Sequence, residues 1–268
     1  MDKAIFITGA GSGIGRATAL HFAHAGWRVG LADVNEAGLA GTAERLPDGR
    51  SLAVPLDVGD RRAWDEGLAR FATWSGGRLD VLHNNAGIAR GGQFATLSDG
   101  DLEALIDVNF RGVVYGARAG FALLNATPGS CLLNTCSASG IYGSPGLSLY
   151  SATKFGVRGL TEALELEWAP HGIKVRSLMP GFIDTAILDL VPPDSNRSAR
   201  EAVREAGLEF TPVERVAQAA WDAVHGRSTH TLVGPTAHRL ARAARWMPGM
   251  LKRQLGSGLL GRETTTPA

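Results

Sequence analysis

An α/β fold is predicted for this chain: a single domain built on a doubly wound parallel sheet of about seven strands with helices on both faces. Three observations predict it. Strand-like and helix-like segments alternate almost from end to end, and the strand segments are near-continuous apolar runs, as in strands buried on both faces. No internal repeat or low-complexity linker divides the chain. At 268 residues, with 44% apolar and 20% charged side chains, one such domain buries a sizeable core.

The segments follow in order. "KAIFIT" (3–8) is a short apolar strand, and 14–25 carries helical spacing. "WRVGLAD" (27–33) is a second strand, followed by a helix over 35–46. "SLAVPLDV" (51–58) and a helix over 61–74 make the third pair. Next come "LDVLHN" (79–84), a long helix over 101–125, and "CLLNTCS" (131–137). A helix over 150–168 precedes "IKVRSLM" (173–179), and a helix over 213–225 precedes "THTLVG" (229–234). The stretch 183–208 breaks this rhythm with Pro192, Pro193, Asp194, Ser195 and Asn196, then a charged helical piece. Excursions of this size are often binding loops or lids, and a plain surface loop is the alternative.

The run "TGAGSGIG" (8–15) places glycine at every second position from Gly9 to Gly15. It does not fit G-x-G-x-x-G: counted from Gly9 the last glycine falls on Ile14, and from Gly11 it falls on Arg16. The run nevertheless follows a strand and opens a helix, the context of a phosphate loop. Glycines let backbone N–H groups approach a pyrophosphate, and the helix N-terminus adds partial positive charge. Twenty residues beyond Gly13 the second strand ends in Asp33, whose carboxylate can accept from both hydroxyls of an adenosine ribose.

Further along, Tyr150 and Lys154 lie four apart on a predicted helix, so both can face one cleft. A free tyrosine titrates near pH ~10, and a neighbouring ammonium lowers that value. The phenolate can then take a proton, and the phenol can return it. Ser137 lies thirteen residues upstream, where the strand "CLLNTCS" would deliver its hydroxyl to the same cleft.

"TGAGSGIG", "NNAG" (84–87), Asn109, Ser137, "YSATK" (150–154) and "PGFIDT" (180–185) together resemble the short-chain dehydrogenase/reductase family, in the right order over about residues 3–234. The resemblance implies a Rossmann fold whose body spans 1–235, with a cofactor half to about 130 and a catalytic half from 131. In the family pattern Gly9, Gly13 and Gly15 are the motif glycines, with Ser12 and Ile14 between them and Gly11 as extra slack. Asp57 and Val58 match positions that flank the adenine, and Asn84, Ala86 and Gly87 should line the cofactor. Thr185 should meet the nicotinamide carboxamide, with Pro180, Gly181 and Ile183 bordering the ring. Ser137 is implied to orient the substrate oxygen, Lys154 to grip the nicotinamide ribose, and Asn109 to hold a water that relays the proton.

NAD is the expected cofactor rather than NADP. Asp33 repels an added phosphate, and Ser12 and Val34 stand where an NADP-preferring member carries a basic residue. The segments expected to enclose the substrate are apolar: Phe94, Ile141, Tyr142, Leu147, Phe182, Ile187 and Leu188, with Arg90 the one cation. They point to a lipophilic alcohol or ketone rather than a small anion. A nucleotide sensor or scaffold of the same fold has no use for an intact proton relay, and a serine hydrolase fails for want of G-x-S-x-G.

Composition excludes more than it assigns. A formal net charge of +1 gives no argument for nucleic acid. Cys131 and Cys136 lie five apart in an apparent strand, so they face opposite sides and make neither a disulfide nor a metal pair. The seven histidines form no metal motif; His21 and His24, three apart on a helix, lack a third ligand nearby, and no metal is expected. The N-terminus has no signal-peptide layout and no apolar run reaches transmembrane length, so a cytoplasmic location is expected. The extension 236–268 carries six cations (Arg239, Arg242, Arg245, Lys252, Arg253, Arg262) against one acid, Glu263. It is read as a helix, broken by Pro248, packed on the body or a neighbouring subunit, in preference to lying on an anionic membrane. A homodimer or homotetramer through the helices over 101–125 and 150–168 follows from the resemblance alone.

Overall fold

The computed structural model describes residues 2–189, 191 and 196–256, so Pro192 to Ser195 of the predicted loop and Arg262 and Glu263 of the tail lie outside it. Seven strands form one parallel sheet: β1 (Ala4–Thr8), β2 (Arg28–Asp33), β3 (Ser51–Pro55), β4 (Val81–Asn84), β5 (Cys131–Thr135), β6 (Lys174–Pro180) and β7 (His230–Val233). Their spatial order is β3-β2-β1-β4-β5-β6-β7. The order reverses between β1 and β4, and in doubly wound sheets ligands bind in the crevice at that point, beyond the carboxyl ends of the strands.

Strand alternation fills a core on each face. Ile5 and Ile7 of β1 point to one side, where they join Val29, Leu31, Phe22 and Trp27. This layer is roofed by α1 (Gly13–His24) and α8 (Val213–His225), whose Val216 and Ala220 are fully buried. Phe6 points to the other side, with Leu82, Leu132, Trp64 and Phe71. There α3 (Arg61–Ser75), α5 (Gly112–Ala126) and α6 (Ser148–Trp168) close the layer. Cys131 and Cys136 fall in different clusters, both buried and free, as their spacing implies. His21 is edge-on to the Trp221 ring at 5.7 Å, and no cluster of metal-ligating side chains occurs among the described residues.

Two helices differ from expectation. The helix predicted over 101–125 is two helices, α4 (Asp99–Ile106) and α5, joined by a π-turn over Asp107–Arg111. The apolar pattern runs through both, so periodicity alone does not reveal the inserted residue. The helix over 35–46 is shorter, α2 (Glu36–Ala43), capped by Asn35 Oδ1 accepting from Gly38 N–H at 2.9 Å. The irregular stretch holds a 3-10 turn at Ala186–Asp189 and the short α7 (Ala199–Glu205), whose capping box joins Ser198 and Glu201. Beyond β7 the tail forms α9 (Pro235–Trp246) and α10 (Pro248–Gly256), parted at the predicted proline.

Candidate active site

The glycine run leaves β1 and enters α1 beside the switch point. Gly9 and Gly13 hold left-handed φ values of +67° and +49°. The Ser12 side chain forms no cap bond at the start of α1, and the first turn carries no acid. By contrast Asn35, Asp60 and Ser98 cap α2, α3 and α4 with their own side chains. The amides at the N-terminus of α1 are therefore not taken up by a side-chain cap. Gly11 is more than slack. Its N–H donates to Asp33 Oδ2 at 2.9 Å, and a Cβ there would lie 2.9 Å from the same oxygen. The other carboxylate oxygen accepts from Asn35 N–H at 2.9 Å, so Asp33 is fixed from both sides.

At β4 the two asparagines separate. Asn84 is buried and turns its amide into the layer beneath α5, where Nδ2 donates to Asn134 Oδ1 at 3.0 Å and to Val113 O at 3.3 Å. Its side chain does not reach the crevice. Asn85 stands there instead: Nδ2 donates to Thr8 O at 2.9 Å and Oδ1 accepts from Thr135 Oγ1 at 3.1 Å. Strand alternation is the signal that separates them, since Asn84 shares the face of Leu82. Thr135 Oγ1 also meets Nε2 of buried His83 at 2.9 Å, and burial pushes that imidazole down to about 3, so it stays neutral. Thr8 Oγ1 accepts from the N–H groups of Asn85 and Ala86, both at 3.0 Å, tying the β4 loop to the glycine run. Asp57 is exposed and accepts from Gly59 N–H at 2.8 Å, whereas Val58 is buried against α5 and its carbonyl accepts from the Trp64 indole N–H at 3.0 Å.

The predicted catalytic residues come together. Asn109 lies in the π-turn, fully buried, with Oδ1 accepting from Ile88 N–H at 2.8 Å and Nδ2 donating to Ile88 O at 2.9 Å. Both ends of its amide are thus tied to the β4 loop, each by one bond, which leaves Oδ1 a second lone pair and Nδ2 a second N–H. A Cβ on Gly87 would lie 3.3 Å from Asn109 Oδ1 and 3.7 Å from Lys154 Nζ. Lys154 is buried, donates to Thr135 O at 3.0 Å, and stands 5.6 Å from the centre of the Tyr150 ring. Ser137 opens the 3-10 turn Ala138–Gly140 and hydrogen-bonds the Tyr150 hydroxyl.

Burial pushes the Tyr150 phenol up to about 12, against which the Ser137 hydrogen bond pulls only partly. Burial also lowers Lys154, because an enclosed ammonium loses its hydration.

The sequence profile of the short chain dehydrogenases matches residues 3–196. This chain belongs to the short-chain dehydrogenase family. It is an oxidoreductase of that family, and its relatives agree. An uncharacterized oxidoreductase of Staphylococcus aureus is 35% identical over 208 residues, 77% of this chain and 90% of the relative. The 3-oxoacyl-(acyl-carrier-protein) reductase of Thermotoga maritima is 36% identical over 216 residues, 80% and 84% of the two chains. Among solved structures, a short-chain dehydrogenase/reductase from Burkholderia phymatum in complex with NAD superposes with a TM-score of 0.82 at 28% identity, covering 94% of this chain and 95% of that one.

In this short-chain dehydrogenase the segment after β6 folds back over the glycine run. A Cβ on Gly13 would lie 3.3 Å from Thr185 Cγ2, and Ile183 bridges to Thr211 with Asp184 N–H donating to Thr211 O at 3.1 Å. Gly181 borders α9, with Thr236 Cβ 3.3 Å from where its own Cβ would sit. Arg200 of α7, which sequence reasoning passed over, braces this segment: it donates to Thr185 O at 2.9 Å and pairs with Asp184 and Asp189. Those two carboxylates hold its guanidinium firmly charged. Of the apolar residues expected around the substrate, Phe182, Leu188 and Leu147 are half-buried and Phe94 is exposed on a 3-10 turn. Ile141, half-buried, packs against the cluster of Val113, Cys136, Val157 and Met179. The loops that carry these residues are joined, since Gly92 N–H donates to Gly146 O at 2.9 Å.

Proposed function

We propose that the chain moves a hydride between NAD(H) and a secondary alcohol or ketone of lipophilic character. The observation that carries this reading is the contiguous group of Ser137, Tyr150 and Lys154, with Ser137 and Lys154 buried and Tyr150 half-buried, beside a glycine run whose helix has no side-chain cap. The residues fit a dinucleotide. Uncapped amides of α1 suit a pyrophosphate, and Asp33, fixed by Gly11 and Asn35, presents acceptors to ribose hydroxyls. Bound nicotinamide supplies the hydride acceptor or donor. The chain supplies the rest: Ser137 orients the substrate oxygen, Tyr150 gives or takes its proton, and Lys154 steadies the phenolate and holds ribose hydroxyls. Ala86 and Gly87 border the cofactor from β4; Pro180, Gly181, Ile183 and Thr185 border it from β6.

Charge at the site supports NAD and an uncharged substrate. Arg16, the cation next to the glycine run, is committed to Thr42 Oγ1 at 2.9 Å and to Gly11 O, and Val34 is 68% exposed with no charge to offer a phosphate. Arg90 is paired with Asp101 at 2.9 Å and Arg200 with its two aspartates, so neither is left to recruit a substrate carboxylate. Steady-state rates read by NADH absorbance across a panel of alcohols and ketones test the substrate class. Fast turnover of small hydroxy acids, with none of hydrophobic alcohols, overturns it. Replacing Asp33 by serine is expected to lower the NAD-to-NADP preference at least about tenfold, ~1.4 kcal/mol. Equal or tighter NADP binding by the unaltered protein refutes the cofactor assignment.

The phenol's raised pKa sets a pH dependence. Oxidation needs the phenolate, scarce below a pKa of about 12, so its rate should climb with pH. Reduction needs the phenol, already complete at neutrality, so it should stay flat. Initial rates in both directions from about pH 6 to about pH 10 check this, and a plateau for oxidation well below 12 measures what Lys154 and the nicotinamide charge contribute. Self-association through α5 and α6 belongs to the same reading. It is supported by exposed Phe155 and Leu166 on α6 and a groove lined by Val114, Phe121, Leu160 and Trp168.

A further inference from the structure

The tail helices contribute little to the sheet cores, yet they carry the densest patch of exposed apolar surface. Ala237 and Leu251 are buried and seat α9 and α10 on the body. Trp246, Met247 and Met250 are 72%, 45% and 46% exposed, within five residues around the α9–α10 junction. The cations Arg239, Arg242, Arg245, Lys252 and Arg253 surround them, all exposed, with no acid between 235 and 256. Among the described residues none of these five enters an ion pair. At ~100° per residue, Arg239, Arg242, Arg245 and Trp246 share an arc of about 120° on α9. Ala237, Ala241 and Ala244 lie on the other side.

We propose that α9 and α10 form a docking surface for an anionic lipid bilayer. An indole ringed by arginines sits at headgroup depth, where the ring finds its half-apolar setting and long cationic stems reach the phosphates. The Arg245 guanidinium already lies 5.2 Å from the Trp246 ring centre, so the two act as one amphipathic unit. Three arginines on one arc of α9, with Lys252 and Arg253 exposed on the adjoining α10, call for negative charge spread over a plane, which a bilayer offers without matched positions. A protein partner would have to place a carboxylate opposite each or leave charge buried. No described helix is long and apolar enough to cross a membrane, so the contact is peripheral and reversible. The surface is rooted at the catalytic turn, because α9 packs on Ala138–Gly140 and borders Gly181. Docking therefore holds the cleft close to where a lipophilic alcohol or ketone dissolves, a consequence that rests on the proposed substrate class; the docking itself does not.

Co-sedimentation of the full chain with vesicles tests the proposal independently of catalysis. Binding is expected to phosphatidylcholine vesicles containing phosphatidylglycerol, not to phosphatidylcholine alone. It should weaken as salt shortens the Debye length from about 30 Å to about 8 Å. Each of Arg239→Glu, Arg242→Glu and Arg245→Glu is expected to weaken it about fivefold or more. Trp246→Ala should weaken it while leaving turnover of a water-soluble ketone unchanged. Equal binding to neutral and anionic vesicles, or to neither, overturns the proposal. So does retained vesicle binding in the triple glutamate variant. If instead these variants change the molar mass measured by light scattering and vesicle binding is absent, the surface belongs to a second copy of the chain.

Discussion

Replacing Tyr150 by phenylalanine is expected to cut turnover by about 100- to 10,000-fold, the range spanned by a positioned acid or base. Cofactor affinity should change little, because the substitution removes one oxygen and keeps the ring beneath which Lys154 stands. The Ser137 side chain engages the phenol hydroxyl, and the neighbouring titratable groups offer no substitute acid: His83 is neutral and enclosed, and both cysteines are held protonated by burial. Initial rates with a ketone and reduced cofactor, alongside a fluorescence titration of the same variant, separate the two effects. Retained turnover removes Tyr150 from the chemistry. A wild-type protein that binds cofactor but turns over nothing in the substrate panel would instead be a sensor of the same fold.

The second large effect is expected at Gly15. Its conformation is open to any residue, so the restriction there is space alone. A Cβ would lie 2.1 Å from Gly9 O and 2.7 Å from Asn85 Nδ2. Neither neighbour is free to retreat, since Gly9 turns at φ +67° and Asn85 is tied to Thr8 and Thr135. Gly15→Ala should therefore displace the loop, destabilise the fold by about 1–3 kcal/mol, and lower cofactor affinity more than tenfold. Gly41→Ala is the matched control. It lies in α2 with no atom within 4 Å of the added carbon, and there the change should be neutral or stabilising by about 0.5–1 kcal/mol. Thermal unfolding and NADH titration of both variants check the pair, and equal behaviour would show that crowding at Gly15 does not govern the loop.

Much of this was legible in the residues. Apolar runs separated by helical spacing encode a parallel sheet directly, because burial on both faces leaves no polar alternation to misread. The spacing of Tyr150 and Lys154 on one helix places the Lys154 ammonium 5.6 Å from the Tyr150 ring centre, and Ser137 stands just past the end of β5. What the sequence hid has a common cause: it concerned where side chains point once several elements meet. Asn84 and Asn85 are the same residue type one position apart, and only the strand's pleat sends one into the core and the other to the crevice. Gly11 reads as slack until Asp33 arrives from another strand against its N–H. Arg200 reads as one charge in a polar stretch, and its brace exists only because α7 returns beneath the turn at Ala186–Asp189. The phenol's pKa is likewise a property of enclosure, which spacing does not describe.

The π-turn at Asp107–Arg111 makes the helix one residue longer than its rise requires. That surplus rotates Asn109 into the β4 loop and sets the angle at which all of α5 meets the sheet. A one-residue deletion here would yield a straighter helix with better backbone bonding and would turn Asn109 away from Ile88. On the proposed reaction the straighter, better-bonded helix is expected to be the less active one, so chain length as well as residue identity matters across these five positions.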